Sequence, residues 1–216
     1  MEHYYQSEIE CASREQIRAW QNERLIPTVK RVYENVPYYR HLMEEKGVTP
    51  DDIRSVDDLH KLPFLTKEDL RQAYPYGLLA VPLEDCVRIQ STSGTTGPAK
   101  RVFYTERDIA HTVGFFAAGI GEFTSAGDTV MIAMPFSGPF GLGDLIARAV
   151  ESLGARALRT GVARTYSSLC AELDDERPSA YIGMPVPLLA MLRYYVNLYG
   201  RAPSLRHALV SGDACP

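Results

Sequence analysis

The chain has 216 residues, 45% hydrophobic and 23% charged, a balance that suits a folded globular protein and excludes a disordered or fibrous one. With 23 Lys and Arg against 27 Asp and Glu the net charge is −4, which argues against a dedicated nucleic-acid binder. No apolar run reaches the roughly 18 residues of a membrane span, and the polar start MEHYYQSEIE does not read as a secretory signal, so a cytoplasmic protein with no membrane partner is expected.

The first ninety residues read as short helices. Ser13 to Val36 has an apolar rhythm at Ile17, Trp20, Leu25, Val29 and Val32, with Pro27 inside it, so two helices or a kink are expected there. A short helix follows from Tyr39 to Lys46 and stops at Gly47. Thr49, Ser55 and Thr66 each precede a carboxylate by three residues, at Asp52, Asp58 and Asp69, and so predict three further helix starts. The second part alternates strands and helices. Strands are expected at Val87–Gln90, Val102–Tyr104, Thr129–Met134, Ala155–Leu158, Ala180–Gly183 and His207–Val210. Helices are expected from Thr105 to about Gly121, and over Leu142–Leu153, Thr165–Leu173 and Val186–Leu198.

This alternation implies an α/β fold with a mostly parallel sheet, flanking helices and a helical N-terminal region over residues 1–85. The apolar run TVMIAM suits a sheet covered on both faces. Ligands of such sheets bind at the carboxyl ends of strands, which points to the loops after Gln90, Met134, Ile182 and Val210. The four cysteines, Cys11, Cys86, Cys170 and Cys215, are far apart, as reduced cytosolic thiols would be. The five histidines are equally scattered, with no zinc-hydrolase pattern, and no residue is assigned to a metal.

Three loops stand out. Ser91 to Gly97 holds five hydroxyl side chains and two glycines, and Lys100 follows, the make-up of an anion cradle or of a merely polar loop. It is not a nucleotide-hydrolase P-loop, because Ala99 stands where the second glycine belongs, and it lacks the G-x-G-x-x-G of dinucleotide folds. After a strand comes Pro135-Phe136-Ser137-Gly138-Pro139-Phe140-Gly141, which suits a flat apolar pocket or a tight turn with core phenylalanines. Met184-Pro185-Val186-Pro187 is a further pocket wall or a plain helix start. Ser211-Gly212-Asp213-Ala214 is a turn at a strand end.

The segment S-G-T-T-G-x-x-K, followed by a strand and a Thr-capped helix, resembles the phosphate-binding signature of the adenylate-forming enzymes. Three stretches in order, Arg31–Arg40, Leu62–Arg71 with Tyr74–Gly77, and Arg88–Gly97, resemble the phenylacetate–CoA ligase family within them. The likeness runs from about residue 5 to the end and implies formation of an acyl-adenylate from ATP and a small carboxylic acid, with transfer to coenzyme A and Mg²⁺ accompanying the nucleotide. It implies that Ser93, Gly94, Thr95, Thr96 and Gly97 hold phosphates and that Lys100 assists catalysis. It also implies that Phe136, Ser137, Gly138, Pro139, Phe140 and Gly141 line an acyl pocket and suggests an aryl acid. Ser211, Gly212, Asp213 and Ala214 would lie along adenine.

The family's later motifs have no match, so residues 86–216 are expected to be the first α/β subdomain of a truncated AMP-binding domain. Such a chain is expected to show little acid-dependent ATP–pyrophosphate exchange alone. The alternatives are one half of a split ligase or a catalytically incomplete nucleotide-binding module, and the expected protein partner is a second copy in a homodimer or a second chain completing the site.

Overall fold

The computed structural model describes residues 4–91, 100–138 and 141–214. By Cα proximity these divide into two compact units, 6–106 and 107–214, with Tyr5 packing into the core of the second.

The first unit begins with α1 (Ser7–Glu10), α2 (Arg14–Asn35) and α3 (Pro37–Glu45). Ser13 caps α2 by accepting from the Gln16 N–H, and the Gln16 side chain accepts from the Ser13 N–H in return. The break or kink expected at Pro27 is absent as a division: α2 runs as one 22-residue helix through it. Burial of its apolar stripe is what holds it together, since Leu25, Val29 and Tyr33 pack with Met43 of α3 and Ile53 in one core. The Thr49 and Ser55 starts lead only to 3₁₀ turns, Pro50–Asp52 and Val56–Lys61, whereas Thr66 opens α4 (Lys67–Gln72).

The unit closes with β1 (Cys86–Ser91) and β2 (Arg101–Thr105). These strands do not join a parallel sheet. They form an antiparallel pair of their own, with Ile89 opposite Phe103 and Ser91 opposite Arg101. The alternation of β1 is inverted, because Val87 and Ile89 are exposed while Arg88 and Gln90 are half-buried.

The second unit holds α5 (Glu106–Gly121, its first residue shared with the boundary), β3 (Thr129–Ala133), α6 (Gly143–Ser152), β4 (Arg156–Arg159), α7 (Tyr166–Glu176), β5 (Ala180–Gly183), α8 (Pro185–Tyr199) and β6 (His207–Val210). The four strands are all parallel, in the order β4-β3-β5-β6. Val130, Ile132, Ala180 and Ile182 face a core shared with α5 and α6. Met131, Leu158 and Tyr181 face the other way, onto Cys170 and Leu173 of α7 and Met191 and Tyr195 of α8. Helices therefore cover both faces, as the apolar run at β3 requires. Gly200, at a φ of 64°, stops α8 in the left-handed region that favours glycine.

Candidate nucleotide and acid site

The chain leaves β3 through α6 to reach β4 on one side, and leaves β5 through α8 to reach β6 on the other. The topology therefore switches between β3 and β5, and in open α/β sheets ligands bind outside the carboxyl ends of strands at such a point. Ala133, Gly183 and Val210 stand side by side there, so loop 134–143, the Met184 segment and turn 211–214 share one edge.

The described residues of loop 134–143 are closely hydrogen-bonded and packed. The Gly143 N–H donates to the Pro135 carbonyl at 2.9 Å and the Gly141 N–H to the Gly138 carbonyl at 3.1 Å. Gly138 has a φ of 82°, and a Cβ on Gly141 would lie 2.9 Å from the Ser137 backbone. Phe136 is half-buried and packs on the core, with one face so close to Gly143 that a Cβ there would lie 2.9 Å from its Cδ2. The Arg159 guanidinium, at the end of β4, sits 5.8 Å from the centroid of the Phe136 ring and also pairs with Glu151 at 2.8 Å. Ser137 and Gly138 are exposed and Gly141 is buried, while Pro139 and Phe140 lie outside the described residues.

Turn 211–214 follows directly from β6. The Ser211 N–H donates to the Gly183 carbonyl at 3.0 Å, Gly212 has a φ of 93°, and the Ala214 N–H donates to the Asp213 carboxylate at 2.8 Å. All four residues are exposed. The sequence predicts a strand over 180–183 and a ligand loop after Ile182, but assigns no role to Tyr181. In the structure Tyr181 and Gly183 matter to this edge, and the one available signal was the Tyr-x-Gly spacing, which puts both on one face of β5.

The hydroxyl-rich segment follows β1 in the chain, and Ser93, Gly94, Thr95, Thr96 and Gly97 lie outside the described residues. Its stem is described: Ser91 pairs with Arg101, so the segment joins two hydrogen-bonded strands. Lys100 is half-buried and, with Leu70, Tyr74, Leu79 and Phe103, lines a mainly apolar hollow of about 290 Å³. Among the described residues no three His, Cys, Asp or Glu gather where they could hold a metal ion.

The family model for AMP-binding enzymes matches residues 12–216. The chain belongs to this family. Among similar relatives, the phenylacetate–coenzyme A ligase of Aromatoleum evansii is 39% identical over 185 residues, covering 85% of this chain and 42% of the relative. That of Thermus thermophilus is 39% identical over 158 residues, covering 62% and 36%. The Escherichia coli enzyme of the same name is 50% identical over 101 residues, covering 47% and 23%. The chain thus spans less than half the length of the curated relatives it matches. A crystal structure of 2-hydroxyisobutyryl-CoA ligase in complex with 2-HIB-AMP and CoA superposes with a TM-score of 0.79 at 26% identity, covering 92% of this chain and 44% of that one. The fold is that of the N-terminal portion of an adenylate-forming ligase. Among the described residues no helix is long and apolar enough to cross a membrane.

Proposed function

We propose that this chain is the N-terminal part of an ATP-dependent acid–CoA ligase acting on an aryl or arylacetic acid. The observation that carries this reading is the 39% identity, over 185 residues, to a phenylacetate–coenzyme A ligase. The placement of loop 134–143 and turn 211–214 on one edge of the parallel sheet supports it. The substrate carboxylate attacks the α-phosphorus of ATP, the bond to the bridging oxygen breaks, and pyrophosphate leaves. The CoA sulfur then attacks the acyl carbon, losing its proton, and AMP departs with its electron pair.

Ser93, Gly94, Thr95, Thr96 and Gly97 are assigned to the phosphates, where hydroxyl and backbone N–H donors meet charge growing on pyrophosphate, and Lys100 adds a cation beside them. Ser211, Gly212, Asp213 and Ala214 are assigned to the adenine, and loop 136–141 to the acid. With Phe136 wedged against Gly143, its ring offers a fixed edge to a flat substrate. Mg²⁺ accompanying the nucleotide would offset the charge of the phosphates that residues 93–97 and Lys100 would hold. Reduced thiols at Cys11, Cys86 and Cys170 fit a cytoplasmic enzyme.

The test is binding of ATP by calorimetry, followed by ATP–pyrophosphate exchange with a panel of acids. Thr95→Ala and Lys100→Ala are each expected to weaken ATP binding about tenfold, the loss of one charge-assisted hydrogen bond, without lowering Tm. Unchanged affinity in both removes the phosphate assignment. Binding with little exchange is the outcome expected of the N-terminal part alone, and exchange driven only by aliphatic acids removes the aryl assignment.

A further inference from the structure

We propose that Tyr181 is a positioning residue for turn 211–214, acting through the end of β5 at Gly183 and Met184; the inference rests on the ligase reading above and deepens it. Tyr181 is only 2% exposed and is enclosed by the α7 and α8 side of the sheet. Side chains on one strand face lean along the strand, so Tyr181 reaches over Gly183 two residues on. A Cβ on Gly183 would lie 2.3 Å from the Tyr181 hydroxyl and 2.6 Å from Cζ, so bare backbone alone admits the phenol.

The ring thereby carries its hydroxyl to the carboxyl end of β5, where it donates to the Met184 carbonyl across a long 3.4 Å. Burial pushes the phenol up to about 12, so it keeps its proton, and its role as donor, throughout the neutral range. Two links lead from this segment to the turn. The Gly183 carbonyl accepts from the Ser211 N–H at 3.0 Å. The Met184 side chain faces Gly212, where a Cβ would meet its Cε at 3.8 Å and its Cγ at 3.9 Å. One buried phenol therefore anchors, at the Met184 carbonyl, the Gly183–Met184 segment whose preceding carbonyl and side chain meet the entrance and the corner of the turn assigned to adenine.

The test compares AMP with inorganic tripolyphosphate as calorimetric probes, beside thermal unfolding. Tyr181→Phe keeps the ring and removes the hydroxyl. It is expected to raise the Kd for AMP about three- to tenfold, as loss of one hydrogen bond would, while tripolyphosphate binding and Tm hold. Met184→Ala alters a side chain that is 39% exposed; it is expected to weaken AMP likewise, and it decides the matter if Tyr181→Phe fails to fold. Unchanged AMP affinity in the folded variants overturns the inference and leaves the ligase reading standing. Equal weakening of AMP and tripolyphosphate marks a general structural role and also overturns it. Failure of the unsubstituted chain to bind AMP overturns the ligase reading itself.

Discussion

Asp58 shows how much one side chain can hold in a segment with little core. It pairs with Lys61 at 2.7 Å and accepts from the Arg54 and Ser55 N–H groups at 2.9 and 3.2 Å. The Lys61 ammonium and then the backbone donors hold its carboxyl down at about 2, against an ordinary 3.8. A depressed carboxylate stabilises the fold fully above its unfolded value, and that contribution is lost as pH falls from 3.8 through about 2. Asp52 and Asp69, at matching places in their own caps, are shifted the same way by Thr49 and Thr66. A carboxyl-carbon NMR titration should find Asp58 half-protonated near pH 2, and Asp58→Asn should remove that part of the acid transition. A midpoint near 3.8 would contradict the pairing. These caps were legible in the sequence because a hydroxyl and a carboxylate three residues apart need nothing beyond the local chain. The Tyr181–Gly183 contact was not legible, because it depends on how a ring leans along a strand once that strand is buried.

Among the elements, α2 carries a proline at an exposed interior position. Pro27 supplies no N–H to the turn before it, and its ring crowds the carbonyl four residues back. The helix persists because Val29 and its neighbours are buried against α3, so packing outweighs the local penalty. Pro27→Ala should therefore stabilise the first unit by about 1–3 kcal/mol, the interior cost of proline less the entropy regained by the unfolded chain. Urea unfolding followed by circular dichroism would read this as a higher midpoint, and an unchanged or lower one would count against the account. The parallel strands were readable from apolar runs such as Thr129–Ala133. The pairing of β1 with β2 was not. Strand composition says that a segment extends, while its partner and direction are set by the connection between them and by what it packs on.

At the scale of the molecule the open side of the sheet matters most. Among the described residues β6 hydrogen-bonds to β5 alone, and Leu209 on it is 43% exposed. An edge strand with an apolar outward residue is a template for another chain. Leu209→Lys should lower concentration-dependent light scattering with the far-ultraviolet spectrum unchanged, and equal scattering would show that association runs through another surface. The Leu209 side chain is half in solvent already, so the cost to folding should stay within about 0.5 kcal/mol.

The strand order also governs how quickly the second unit can form. No two of its paired strands are joined by a short turn: Thr129 pairs with Arg156, Val130 with Ala180, and Ala180 with His207. Each ladder must close a loop of roughly 25–50 residues before its contacts repay the lost chain entropy. As the chain leaves the ribosome, β3 and β4 can meet first, but the central pair waits until β5 has been synthesised. Until then the apolar flank of β3 is a surface for chaperones to shield, and a pause in translation between Arg159 and Ala180 would prolong that exposure.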